Sequence, residues 1–148
     1  MYDVAILCGG FATRLGNLTK NSPKSMIDIN GKPFIYHQLK LLEKNEFTRV
    51  ILCVNHFGNQ IEEYIKTLKL DMFVRCVYDG HYPLGTGGAI KHCLPSLGEK
   101  FFVLYGDSYL PINYKEIEDF YNKSNKLSLM TIYRNENYNH VNNVIYED

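Results

Sequence analysis

The chain has 148 residues, the length of one domain of ordinary size, and should bury roughly two-thirds of its unfolded surface around a single core. With 45% hydrophobic and 22% charged residues, its composition excludes a disordered or fibrous polymer. Lysine plus arginine equals aspartate plus glutamate at 16 each, so no long-range field would hold a nucleic acid or an anionic membrane, and basic residues must act locally.

No stretch approaches the roughly 20 apolar residues of a membrane span. The N-terminus has no basic region followed by a long apolar run and a cleavage site, so the cytoplasm is the expected location. Cys8, Cys53, Cys76 and Cys93 stand singly, with no Cys-x-x-Cys pair for zinc or redox chemistry, and read as reduced, small core residues.

In chain order, Val4 to Cys8 opens as a short, nearly unbroken apolar run, the pattern of a strand covered on both faces of a parallel sheet. Ile35, Leu39 and Leu42 then make a helical stripe after Pro33. Val50 to Val54 repeats the buried-strand pattern, and Ile61, Tyr64, Ile65 and Leu68 follow the i, i+3, i+4, i+7 spacing of a second helix. Phe73 to Tyr78 reads as a strand, a helical pattern starts after Gly85 to Gly88, and Phe101 to Tyr105 is the most apolar strand of all. Tyr114, Ile117, Phe120 and Tyr121 mark a further helix capped by Asn113, and Leu127 to Tyr133 a last strand. Asn135 to Asn143 reads as a loop within the domain. The alternation predicts an α/β fold: a Rossmann-like open, mostly parallel sheet with helices on both faces and ligands beyond the carboxyl ends of its strands.

Three segments fall where that rule places chemistry, and Lys24 stands between the first and the second in a stretch with little helical or strand pattern. Leu7, Cys8, Gly9, Gly10, Phe11, Ala12, Thr13, Arg14 and Leu15 follow the first strand. Paired glycines there either make a tight turn or let phosphate oxygens approach free amides, with Arg14 adding a planar donor fork. Lys24 follows Pro23, whose fixed backbone would aim the ammonium back at the glycine loop, although a lone Pro-Lys also fits an exposed turn. Gly85, Thr86, Gly87 and Gly88 start like a dinucleotide fingerprint, but Ile90 occupies the place of its third glycine, which disfavours a dehydrogenase. The glycines either seat a flat base or phosphate against the main chain or mark a close helix-to-strand contact. Asp107, after Tyr105 and Gly106, delivers a carboxylate to the crevice, either as a turn residue or as a ligand to magnesium. His37, His56, His81, His92 and His140 show no metal-ligand pairing; His56 with Asn55 lies near the crevice.

Together Leu7-Cys8-Gly9-Gly10, Thr13-Arg14-Leu15, Pro23-Lys24-Ser25-Met26, Gly31-Lys32-Pro33, Pro83 to Gly88 and Gly106-Asp107, in this order, resemble the sugar-phosphate nucleotidyltransferases. The resemblance runs from residue 1 to about 110 and extends weakly to Asn143-Val144-Ile145-Tyr146, which is similar to a family strand. It implies a nucleotide-diphospho-sugar transferase type of sheet and one nucleotidyltransferase domain over 1–148. The expected reaction joins a nucleoside triphosphate to a sugar 1-phosphate and releases pyrophosphate. Gly85-Thr86-Gly87-Gly88 is most similar to members handling mannose or heptose 1-phosphate with GTP. In that division of labour Leu7, Gly9, Gly10, Ala12, Thr13 and Gly85 to Gly88 bind the nucleotide, Arg14 and Lys24 hold phosphates as the catalytic cations, and Asp107 holds Mg2+.

Elementary chemistry agrees: a sugar phosphate is already an anion at neutral pH, so the reaction needs in-line positioning and cations rather than a serine, cysteine or histidine nucleophile. Two departures stand out. Ala12 occupies a family glycine position, at a cost on the order of 1 kcal/mol if the backbone is left-handed there. The chain also stops at Asp148, before the family's sugar-binding region, so a truncated sheet with an open edge and a tendency to self-associate is expected. Two other classes fit less well. One is a non-catalytic nucleotide-binding module. The other is a nucleotide-sugar-dependent glycosyltransferase, which would present Asp-x-Asp where Asp107 is followed by Ser108 and Tyr109.

Overall fold

A computed structural model describes residues 1–10, 21–80, 82, 84–134 and 144. The expected apolar runs form four parallel strands: β1 (Asp3–Leu7), β4 (Arg49–Val54), β5 (Phe73–Tyr78) and β6 (Phe101–Tyr105). Their spatial order is β5-β4-β1-β6, with Val4 opposite both Val50 and Phe102, and Val50 opposite Val74. The two-residue period of a strand then sorts the side chains. Val4, Ile6, Val50, Leu52, Val54 and Leu104 enter one core, and Ala5, Ile51 and Cys53 enter the other.

Helices cover both faces, as the buried runs require. The first core receives Ile35, Leu39 and Leu42 from α1 (Phe34–Lys44), Ile61 from α2 (Gly58–Lys66) and Tyr114 from α4 (Tyr114–Ser124). The second receives Ala89 and Cys93 from α3 (Gly85–Cys93). Each fully buried Ile, Leu or Val contributes about 1.5–3 kcal/mol relative to exposure. Phe47, Phe102 and Tyr114 meet edge to face with centroids 5.2–5.7 Å apart, the favoured aromatic geometry, and tie β6 to α4. Asn113 caps α4 as expected, its side chain accepting from the Glu116 N–H at 3.3 Å. All four cysteines are free; Cys8, Cys53 and Cys93 are buried core residues and Cys76 is half-buried.

Three expectations are corrected. Leu127 to Tyr133 forms no strand: Leu127 is 100% exposed and Tyr133 84%, and among the described residues no neighbour pairs with this run. Apolar alternation makes a strand only where a partner's N–H and C=O groups lie in register. Phe120, expected on the buried stripe of α4, is 62% exposed, because that helix turns Tyr114 and Glu118 inward instead. Two short strands were also missed, β2 (Asp28–Ile29) and β3 (Lys32–Pro33), an antiparallel hairpin. Its turn residues Asn30 (φ 53°) and Gly31 (φ 79°) are both left-handed, the need that makes Asn-Gly the strongest short hairpin signal. The loop expected over 135–143 lies outside the described residues, as does all but Val144 of the family strand expected over 143–146.

Candidate nucleotide site

Because β4 and β5 lie on one side of β1 and β6 on the other, the strand order reverses between β1 and β6, and ligands of such sheets bind beyond the carboxyl ends at that point. Gly106 closes these ends together. Its N–H donates to the Leu7 carbonyl at 2.9 Å, and a Cβ there would stand 2.7 Å from that oxygen and 2.9 Å from Cys8 Sγ. Glycine is therefore needed for β6 to run flush past β1, and Asp107 emerges at the exposed rim. Cys8 beneath it is no nucleophile: burial pushes its thiol up to about 12.

Lys24 reaches the same rim from a separate segment. Buried Pro23, at φ −68° and ψ 152°, leads into a 3-10 turn over Lys24–Met26, closed by the Met26 N–H donating to Pro23 O at 2.9 Å. The Lys24 Nζ lies 2.7 Å from Asp107 Oδ2, so the expected phosphate cation and the expected metal carboxylate are in direct contact. Their side chains are 41% and 43% exposed, and such a pair is worth at most about 1 kcal/mol. A ligand carrying both phosphates and a cation can redirect each partner at small cost.

A second group surrounds Gly9, where a Cβ would stand 3.3 Å from the Asn55 Cβ and 3.5 Å from Asp79 Oδ2. Asn55 follows β4 and Asp79 follows β5, so three successive strand ends converge here. Asp79 is 9% exposed, and burial raises its carboxyl above the usual carboxylate range, partly offset by the Leu84 backbone N–H and by His92. Asp79 Oδ1 and Asn55 Nδ2 are buried with no hydrogen-bond partner among the described residues. An orphan acceptor and an orphan donor on two residues that both approach Gly9 leave polar capacity for a ligand that offers both complements.

Gly85 to Gly88 form the first turn of α3, and their roles divide. Gly85 is left-handed at φ +69°, and a Cβ on Gly88 would strike the Leu84 Cβ at 2.8 Å, so these two serve the turn itself. Gly87 has no described atom within 4 Å of its would-be Cβ, and Thr86 beside it is exposed. The open backbone face expected for a ligand is thus at Gly87, and the Leu84 N–H to Asp79 contact links this turn to the group around Gly9.

Of the sequence-predicted residues, Leu7, Gly9, Lys24, Gly85, Thr86, Gly87, Gly88 and Asp107 line these strand ends and helix start, and Gly10 follows Gly9 as an exposed residue. Ala12, Thr13 and Arg14 lie outside the described residues. Sequence reasoning missed Asp79, although it stands after β5 as Asp107 stands after β6, which was the available signal. It also missed Gln38, hidden within an apolar helical stripe. Among the described residues no three His, Cys, Asp or Glu groups converge. Asp107 is suited to magnesium as one protein ligand to an ion that keeps waters and phosphate oxygens.

Residues 4–136 match the model of the MobA-like NTP transferase domain. The chain is 38% identical over 113 residues to D-glycero-alpha-D-manno-heptose 1-phosphate guanylyltransferase of Campylobacter jejuni, covering 76% of this chain and 51% of the relative. It is 30% identical over 147 residues to the Drosophila melanogaster mannose-1-phosphate guanylyltransferase catalytic subunit beta, covering 97% of this chain and 40% of that protein. The crystal structure of HddC from Yersinia pseudotuberculosis complexed with GMP-PN superposes with a TM-score of 0.73 at 38% identity, over 81% of this chain and 54% of HddC. The chain thus spans about half the length of the curated relatives it matches, or less. Family model, parallel sheet and strand-end site agree: this chain belongs to the MobA-like NTP transferase domain family.

Proposed function

We propose that this chain is the nucleotide-binding part of a sugar-1-phosphate nucleotidyltransferase that uses GTP. The observation that carries the reading is the meeting of Lys24 and Asp107, from segments 83 residues apart, at the switch point between β1 and β6. In the reaction, an oxygen of the sugar 1-phosphate attacks the α-phosphorus in line, the bond from that phosphorus to the β-phosphate's bridging oxygen breaks, and pyrophosphate leaves with the electron pair. Lys24 Nζ would offset charge on the phosphates, joined by Arg14 from the segment after Gly10. When bound at Asp107, magnesium would neutralise the phosphates and hold them for displacement.

The preference for guanine has its own support. Guanine presents the O6 acceptor beside N1–H and 2-amino donors. The orphan donor Asn55 Nδ2 suits O6, and the orphan acceptor Asp79 Oδ1 suits the donors. The relatives named as guanylyltransferases, and HddC with GMP-PN, favour the same base. Titration calorimetry of the chain with GTP, UTP, CTP, ATP and dTTP, each with magnesium, tests the proposal. GTP should bind tightest, and Lys24→Ala should weaken it about 10-fold or more, as loss of a charged hydrogen bond does. Equal affinities for all five, or binding indifferent to Lys24, would refute it.

A further inference from the structure

Gln38 is a polar residue on the buried stripe of α1, between Ile35 and Leu39, and only 3% exposed. A polar side chain in an apolar core costs free energy unless it is hydrogen-bonded, and here one end is not: Oε1 has no partner among the described residues. The other end is fully engaged. Nε2 donates to the Tyr105 carbonyl at 2.9 Å and to the Ser108 carbonyl at 2.7 Å. Both partners are acceptors, so the nitrogen must face them, and the two N–H groups of one amide are both used. Leucine or methionine would suit the stripe without the orphan oxygen, so the fold alone does not call for glutamine.

Tyr105 and Ser108 bracket Gly106 and Asp107. Gly106 is fixed from the front by its bond to the Leu7 carbonyl. Within the loop itself, the Ser108 N–H reaches Tyr105 O at only 3.2 Å. Gln38 therefore clamps the loop from behind, on both sides of the carboxylate. The helix that carries it also packs against the 3-10 turn bearing Lys24, so one rigid element backs both members of the 2.7 Å pair.

We propose that Gln38 is a positioning residue for Asp107, holding that carboxylate where it meets both the metal and Lys24. The proposal rests on the nucleotide reading of the same site and adds a residue that touches neither phosphate nor metal. Its consequence is selective. Loosening the Asp107 loop should cost the metal-dependent part of nucleotide affinity and spare the metal-independent part, which Lys24 and the glycine segments supply.

The test is calorimetric titration of wild type and Gln38→Met with GTP, once with magnesium and once in EDTA at equal ionic strength. Methionine keeps the volume and apolar fit of the stripe while removing both donors. Gln38→Leu is the second variant should the first not accumulate as folded protein. The expected result is EDTA affinity within about two-fold of wild type and an affinity gain from magnesium reduced about ten-fold, the scale on which groups supporting a metal ligand act. Amide hydrogen exchange at Ser108 should quicken while that of β4 stays as in wild type. An undiminished magnesium gain, or an equal fall with and without magnesium, would overturn the positioning role while leaving the GTP reading intact. Wild type that fails to bind GTP even with magnesium would remove the reading and this inference together.

Discussion

Gly87→Ala separates what the fold needs from what the ligand needs. Gly87 is the third residue of α3, is absent from the left-handed glycines Gly31, Gly80 and Gly85, and has no described atom within 4 Å of a built Cβ. Alanine relieves the conformational entropy of a helical glycine, worth about 0.5–1 kcal/mol. For a chain of this size each kcal/mol moves the melting midpoint by roughly 2–4 °C, so the variant should melt about 1–4 °C higher. If the open face is where the nucleotide lies against the main chain, the added methyl intrudes on it. GTP affinity with magnesium should then fall about ten-fold, equivalent to about 1.4 kcal/mol. Calorimetry and a melting curve on one preparation suffice. Higher stability with unchanged GTP affinity would refute the reasoning, because Gly87 would then have no ligand to make room for.

Three further outcomes are expected. Gly106→Ala should lose about 1–3 kcal/mol in a urea titration, because its Cβ meets backbone oxygen at 2.7 Å and neither strand end can yield; an unchanged midpoint would mean that β6 does not run flush past β1. Asp79→Asn should raise stability at pH 7 and weaken GTP binding. Burial raises the folded-state carboxyl pKa, so the folded state holds its proton longer, and stability falls as pH rises from the unfolded value near 4 through the folded one. Urea midpoints at pH 4 to 7 should show that decline in wild type more than in the variant. All four thiols are shifted upward by burial, Cys8 and Cys76 to about 12, so an aromatic disulfide reagent at pH 8 should label the native chain slowly and the urea-unfolded chain at once. Rapid labelling of more than one thiol in the native chain would contradict the buried placement of Cys8, Cys53 and Cys93, since Cys76 alone is half-buried.

Much of this protein was legible from periodicity. The runs at Val4 and Val50 are apolar because both faces of these central strands are covered, and the stripes at Ile35 and Ile61 have the helical period because one face of each helix is. The same expectation fails for Phe101 to Tyr105, where Val103 is 45% and Tyr105 57% exposed, because β6 is an edge strand among the described residues. Local chemistry also placed Lys24, Asp107 and the glycines near strand ends, since the carboxyl ends of a parallel sheet form one edge. The reading failed where the answer depended on a partner far away in sequence. Leu127 to Tyr133 has the composition of a strand and lacks a described neighbour to pair with. The meeting of Lys24 with Asp107, of Gly9 with Asp79, and of Gln38 with the carbonyls of Tyr105 and Ser108 are distances between segments, and no local pattern encodes them. The sequence by itself determined which residues carry charge, freedom of backbone and apolar surface. Only the packing of helices across a sheet whose strand order reverses beside β1 decided which of them stand within reach of one ligand.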